Sequence, residues 1–220
     1  DDISLKIFPK PHYFVKKAIL NLNNENDKSS VIQTKNLKVF IPLNKLYSKK
    51  NIQIEEIEIE KANIYFKLDD VLDFRNHLYY KINKPIYIKK SNFFLIDKNN
   101  ETILISPIKK INYSINTKSN SKELKIKGNI FDVDYNSSWK RYYNEPKNSL
   151  TEIKFKNPNL FIKSFFSYEN NKNFSGKSLI NFLNNDIFID YLIKDNKILI
   201  SSPNQNKNQK IKLNSKIELD

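Results

Sequence analysis

Apolar and polar residues alternate with period two along nearly the whole chain. Ile52, Ile54, Ile57 and Ile59, then Ala62, Ile64, Phe66 and Leu68 are apolar, with Gln53, Glu58, Asn63 and Lys67 between them. A period of two places successive side chains on opposite faces of a β-strand. The phase slips at Glu55-Glu56 and at Glu60-Lys61, and each slip predicts a bulge or a short turn. The same alternation predicts strands over 86–88, 92–97, 101–106, 109–116, 123–136, 150–156, 160–166, 176–182, 187–193 and 197–202, with a last one from Lys210. Enrichment in Ile, Phe, Tyr and Val suits strands better than helices. One segment has helical spacing: Asp70 to Tyr80, where Val71, Phe74 and Leu78 share a face and Asp69 or Asp70 can cap the first turn. Ser137 to Tyr143 is a weaker helical segment or a loop. No linker divides the pattern, which predicts a mainly β, antiparallel sheet in a single continuous domain, 1–220.

Composition changes this picture at the turns. The chain has 220 residues and only 2 glycines, Gly128 and Gly176. Rossmann fingerprints, phosphate-cradling loops and tight hairpins all use glycine at positive φ. Asparagine is the next best residue there, so Asn23-Asn24, Asn99-Asn100, Asn170-Asn171 and Asn184-Asn185 are predicted turns. The formal net charge is +14. Its lysines are scattered along the sequence, which predicts solvated strand faces and attraction to anionic headgroups, with no nucleic-acid partner. There is no cysteine, so neither disulfides nor thiolate metal sites arise. There is no methionine either, from which the chain is expected to be an excised segment of a longer protein. No apolar run has the length of a membrane span.

Catalytic constellations fail on residue type. The two histidines, His12 and His77, have no Cys and no short His-x-x-x-His spacing beside them, so no metal or cofactor is expected. Ser175-Gly176-Lys177-Ser178 runs into a strand pattern and lacks the glycines of a nucleophile elbow or a phosphate loop. Glu55, Glu56, Glu58 and Glu60 form an acidic run, and Asp132 and Asp134 flank Val133. Paired acids can hydrolyse glycosides only with a cleft and a set separation, and here they read as the wet face of a strand beside lysines. Trp139, with Tyr142, Tyr143, Lys140 and Arg141, suits base or sugar stacking, a headgroup boundary, or a cover for one end of the sheet. The expectation is a protein without enzymatic activity.

The order of elements at the start carries a resemblance. Ile3 to Tyr13 contains Pro9-Lys10-Pro11, and Ala18-Ile19-Leu20-Asn21-Leu22 follows. Leu37 to Ile41 then ends in Pro42-Leu43-Asn44-Lys45-Leu46, ahead of Ile52 to Ile59 and Ala62 to Lys67. This order resembles the amino-terminal region of the AsmA-like family of envelope proteins, best over Ile3 to Phe66 and more loosely to Ile115. The resemblance implies an inner-membrane anchor outside this segment and a periplasmic body. It also implies a long curled antiparallel sheet, with one or two short helices, whose apolar groove conducts phospholipids toward the outer membrane.

A sheet with one apolar face must cover it with another layer or with a ligand. The groove wall is therefore predicted at Ile57, Ile59, Ile64, Phe66, Phe93 and Leu95, and further at Ile103, Ile105, Ile111, Tyr113, Leu124 and Ile126. The implied partners are phospholipid acyl chains, the membrane and other envelope proteins. The alternative reading is a structural or interaction domain of the envelope with a packed interior.

Overall fold

The computed structural model describes residues 3–21, 31–45, 53–67, 82–145, 147–168, 173–194, 197–202 and 214–218. Its strands are β1 (Ile3–Lys6), β2 (His12–Val15), β3 (Ala18–Asn21), β4 (Val31–Phe40), β5 (Glu56–Lys67), β6 (Ile86–Ile96), β7 (Thr102–Asn116) and β8 (Ser121–Ile130). The second half adds β9 (Val133–Tyr142), β10 (Asn148–Phe155), β11 (Leu160–Tyr168), β12 (Phe174–Phe182), β13 (Asn185–Lys194), β14 (Lys197–Ser201) and β15 (Asn214–Glu218). They follow one another in a single mixed sheet, β1-β2-β4-β5 and onward in chain order, with β3 paired to β4. The mainly β reading therefore holds.

Several details differ from the sequence expectation. β5 and β6 pair in parallel, Ile59 opposite Ile88 and Phe66 opposite Leu95, so the sheet is not purely antiparallel. The long connection from Lys67 to Ile86 makes that possible, because a parallel step needs a crossover of roughly a dozen residues or more. The strand expected over 123–136 is instead a hairpin, folding at Phe131 and Asp132, whose φ values are 49° and 63°. Ser137 to Tyr143, read as helix or loop, lies in β9 apart from its last residue. Phe-Asp carries no turn signal of the Asn-Gly kind, which is why the break was illegible. The helix expected over Asp70 to Tyr80 lies outside the described residues, as do Asn23-Asn24 and Asn170-Asn171. Among the described residues the helical element is a single 3₁₀ turn, Leu43–Lys45, within the Pro-Leu-x-x-Leu segment. Asparagines at 100, 120 and 184 take positive φ at turns, and neither glycine does.

The chain divides into two compact units: unit 1 is Asp1–Ile115 with Leu124–Asp132, and unit 2 is Asn116–Glu123 with Val133–Asp220. Unit 1 has a packed core on one face of its sheet, formed by Ile32, Leu37, Ile59, Ala62, Ile64 and Ile88 with Val39, Ile57, Phe93 and Ile111 against them. Keeping these residues on one face requires the alternation to slip at the same level in β4, β5, β6 and β7. Thr34 pairs Ala62 and Asn36 pairs Glu60, leaving Lys35 and Lys61 between. Likewise Lys89 pairs Lys110 and Ser91 pairs Ile108, leaving Lys90 and Lys109. Lys61 and Lys90 take φ of 55° and 50°. Each slip adds one residue to the strand and returns the apolar set to the same face.

Unit 2 is built differently. Among the described residues, every buried hydrophobic side chain belongs to unit 1. The buried residues of unit 2 are Ser121, Lys122, Arg141, Ser149 and Ser164. Among the described residues its apolar side chains are all half-buried or exposed.

Candidate functional site

In unit 2 the antiparallel registers gather apolar residues on one face of the sheet, which also carries Thr151, Ser164, Ser178 and Arg141. Ile153 pairs Ile162, Ile162 pairs Ile180, and Ile180 pairs Ile187, so four isoleucines form a straight cross-strand row over β10 to β13. A second row, Tyr135, Phe155, Leu160 and Phe182, runs beside it. Directly opposed residues share a face with Cβ atoms about 4.5–5.5 Å apart, which makes the two rows one surface. Tyr135 and Phe155 are in contact, with ring centroids 6.1 Å apart. All four isoleucines are half-buried, and Phe182 is 41% exposed.

Further along the same face stands an aromatic group. Phe166 lies 5.6 Å from the Tyr191 ring and 6.5 Å from Tyr168, and Tyr168 lies 6.0 Å from Phe174. Gly176 stands opposite both Phe166 and Tyr191. A Cβ at this position would collide with the Tyr191 hydroxyl and the Phe165 carbonyl, so the hydroxyl end of the Tyr191 ring lies against bare backbone. Burial pushes the Tyr191 phenol up, the nearby Tyr168 adds to this, and a hydroxyl contact with Ser178 only partly opposes it. Trp139 joins this face in register with Thr151, as a member of a strand and not of a polar connection. The opposite face has a hollow of about 530 Å³ where Leu150, Phe165, Leu179 and Phe188 mix with Lys163, Lys177 and Asp190.

The predicted wall residues all fall before this region and do not form one surface. Ile59, Ile64, Phe66 and Tyr113 are buried, with Ile59 only 2% exposed. Ile57, Phe93, Leu95 and Ile111 are half-buried on the same face by register. Apart from Leu95, they are buried in the core of unit 1 or packed against it. Ile103 and Ile105 are 53% and 54% exposed, and Ile105 pairs Phe94 on the other face. The slip at Lys109 separates their parity from that of Ile111 and Tyr113. Leu124 and Ile126 share a face of β8 and are half-buried. The isoleucine row of unit 2 was missed because each strand supplies one member and only register shows that they adjoin.

The other singled-out residues have structural surroundings. His12 is 3% exposed, donates from Nδ1 to the Lys10 carbonyl at 2.7 Å and packs on Phe40. His77 lies outside the described residues. Glu58 sits between Lys38 at 3.3 Å and Lys89 at 3.4 Å. Burial opposes its charge, but the Lys38 hydrogen bond and the Lys38 and Lys89 charges outweigh that and hold the carboxyl below its ordinary range. Glu123 pairs Lys140 at 3.3 Å. Gly176-Lys177-Ser178 lies within β12. Among the described residues, no three His, Cys, Asp or Glu side chains gather as a metal site. Compared with known proteins, the chain matches no family model and no curated protein.

Proposed function

We propose that this chain is a non-enzymatic module holding phospholipid acyl chains on the apolar face of unit 2, as one part of an AsmA-like conduit across the envelope. The observation that carries the reading is the register-aligned row Ile153, Ile162, Ile180 and Ile187, half-exposed in a unit that buries no hydrophobic side chain among the described residues. An aliphatic face of this kind stays wet unless something apolar lies on it. Each methylene taken from water contributes about 0.8 kcal/mol, so roughly eight along the row give about 6 kcal/mol. That corresponds to a dissociation constant of tens of micromolar, tight enough to load a chain and weak enough to let it move on. In this reading the protein works in the periplasm, tethered to the inner membrane and meeting other envelope proteins. Its contribution is to outer-membrane assembly.

Unit 1 supports the second reading, a structural domain with a packed interior, for its own half of the chain: Ile59, Ile64 and Phe66 already have a protein environment. The test separates the two within unit 2. Ile162→Asp and Ile180→Asp place a charge that must be desolvated or must expel lipid. Both variants are expected to melt near the parent and to lose copurifying phospholipid by mass spectrometry, while Lys177→Ser on the other face keeps it. Folded Asp variants with normal lipid content would defeat the conduit reading, and unfolded ones would favour the packed domain.

A further inference from the structure

We propose that the line of lysines across unit 1 is a binding site for a phosphate-bearing anion. Lys17, Lys35, Lys61 and Lys90 all line one open hollow of about 850 Å³. In the sequence they are far apart. The registers gather them: Ala18 pairs Thr34, which puts Lys17 level with Lys35, and the unpaired positions Lys35, Lys61 and Lys90 continue the line over β4, β5 and β6. Adjacent strands lie about 4.8 Å apart, so the lysine Cα atoms follow at that spacing.

Three features separate this line from ordinary solvated strand lysines. First, like charges level with each other on neighbouring strands oppose pairing, yet a lysine recurs at every step. Second, no carboxylate lines the hollow among the described residues. The ion pairs seen elsewhere, on Glu58, Glu123 and Glu152, use Lys38, Lys89, Lys140 and Lys163, none of them in the line. Third, the adjoining level presents amides. Gln33, Asn63 and Asn92 pair in turn and line the same hollow, with Asn92 Nδ2 donating to Asn63 Oδ1 at 3.4 Å. Four ammonium groups with amide donors beside them, in an open hollow, match the charge and the many acceptor oxygens of phosphate. The site is in unit 1 and does not rest on the acyl-chain reading.

The test uses the full chain with two probes, inorganic pyrophosphate by calorimetry and flotation with phosphatidylglycerol or phosphatidylcholine vesicles. The variant Lys35→Gln/Lys61→Gln/Lys90→Gln is compared with Lys118→Gln/Lys127→Gln/Lys156→Gln, which removes the same charge from exposed sites elsewhere. The first variant is expected to weaken binding by about tenfold or more and the second by less than about twofold, since scattered surface charges are screened at 0.1 M salt. Saturable pyrophosphate binding assigns the site to free phosphates, and binding only to phosphatidylglycerol vesicles assigns it to a lipid headgroup. Melting curves check that the variants fold, and Lys35→Gln alone, expected to weaken binding about threefold, serves if the triple variant does not. Equal weakening by both triple variants, or no binding of either probe by the parent, overturns the proposal.

Discussion

Glu58 shows how one residue can be ordinary in sequence and specific in structure. It belongs to an acidic run, and the expectation of acids on a wet strand face beside lysines describes it well. Register decides which lysines: Lys38 lies directly across and Lys89 on the other neighbour. Its folded pKa lies below the ordinary carboxyl value of 4.5, so over the interval between the two the unfolded chain binds more protons. The pair's stabilisation is thus complete above 4.5 and disappears as pH falls through the lower folded value. Urea midpoints should show the parent exceeding Glu58→Gln at pH 7, with the difference shrinking as pH drops below 4.5. A difference that stays constant down to pH 3 would remove Glu58 from this role.

At the scale of elements, hairpins joined by two residues dispense with glycine. Leu183 and Asn184 join β12 to β13 with φ of 48° and 65°, the geometry in which both central residues are left-handed. Asn184 suits it, as its side chain tolerates that region. Leu183 does not, and at 58% exposure it has little packing to lose. The left-handed conformation costs an ordinary L-residue about 1–2 kcal/mol. Leu183→Asn should recover about 1 kcal/mol and raise the melting temperature by about 2–4 °C for a chain of this size. An unchanged or lower melting temperature would argue against this turn geometry. Asn184 was legible as a turn residue. Phe131 and Leu183 were not, because hydrophobic side chains at positive φ carry no local signal.

Across the whole molecule the two units respond oppositely to the same chemical change. Ile59 is 2% exposed and lies among Ile32, Leu37, Ala62, Ile64 and Ile88, so an ionised Asp there would be enclosed by apolar side chains. The desolvation costs several kcal/mol, a large part of the 5–15 kcal/mol that holds a domain together. Ile59→Asp should therefore abolish the unit 1 melting transition by calorimetry, whereas Ile162→Asp should leave unit 2 folded. If Ile59→Asp melts like the parent, unit 1 is not a packed core. The same division accounts for the predicted wall. Residues from Ile57 to Tyr113 were correctly read as apolar strand positions, but most of them already have protein around them.

Alternation, β-branched residues and asparagines were enough to determine a mainly β chain, many of its strand positions and several of its turns. These signals are local: a residue's neighbours two positions away set which face it takes, and this needs no knowledge of partners. Where the phase slips, local information ends. Lys90, and Pro107 with Ile108, were read as gaps between strands because a bulge and a turn look alike in sequence, whereas β6 and β7 run through them unbroken. Only the tertiary structure decided that Lys17, Lys35, Lys61 and Lys90 lie level, that β5 and β6 are parallel, and that Ile153, Ile162, Ile180 and Ile187 adjoin. Register is a property of pairs of strands distant in the chain. It is selected by the burial of whole faces, so no single strand contains it.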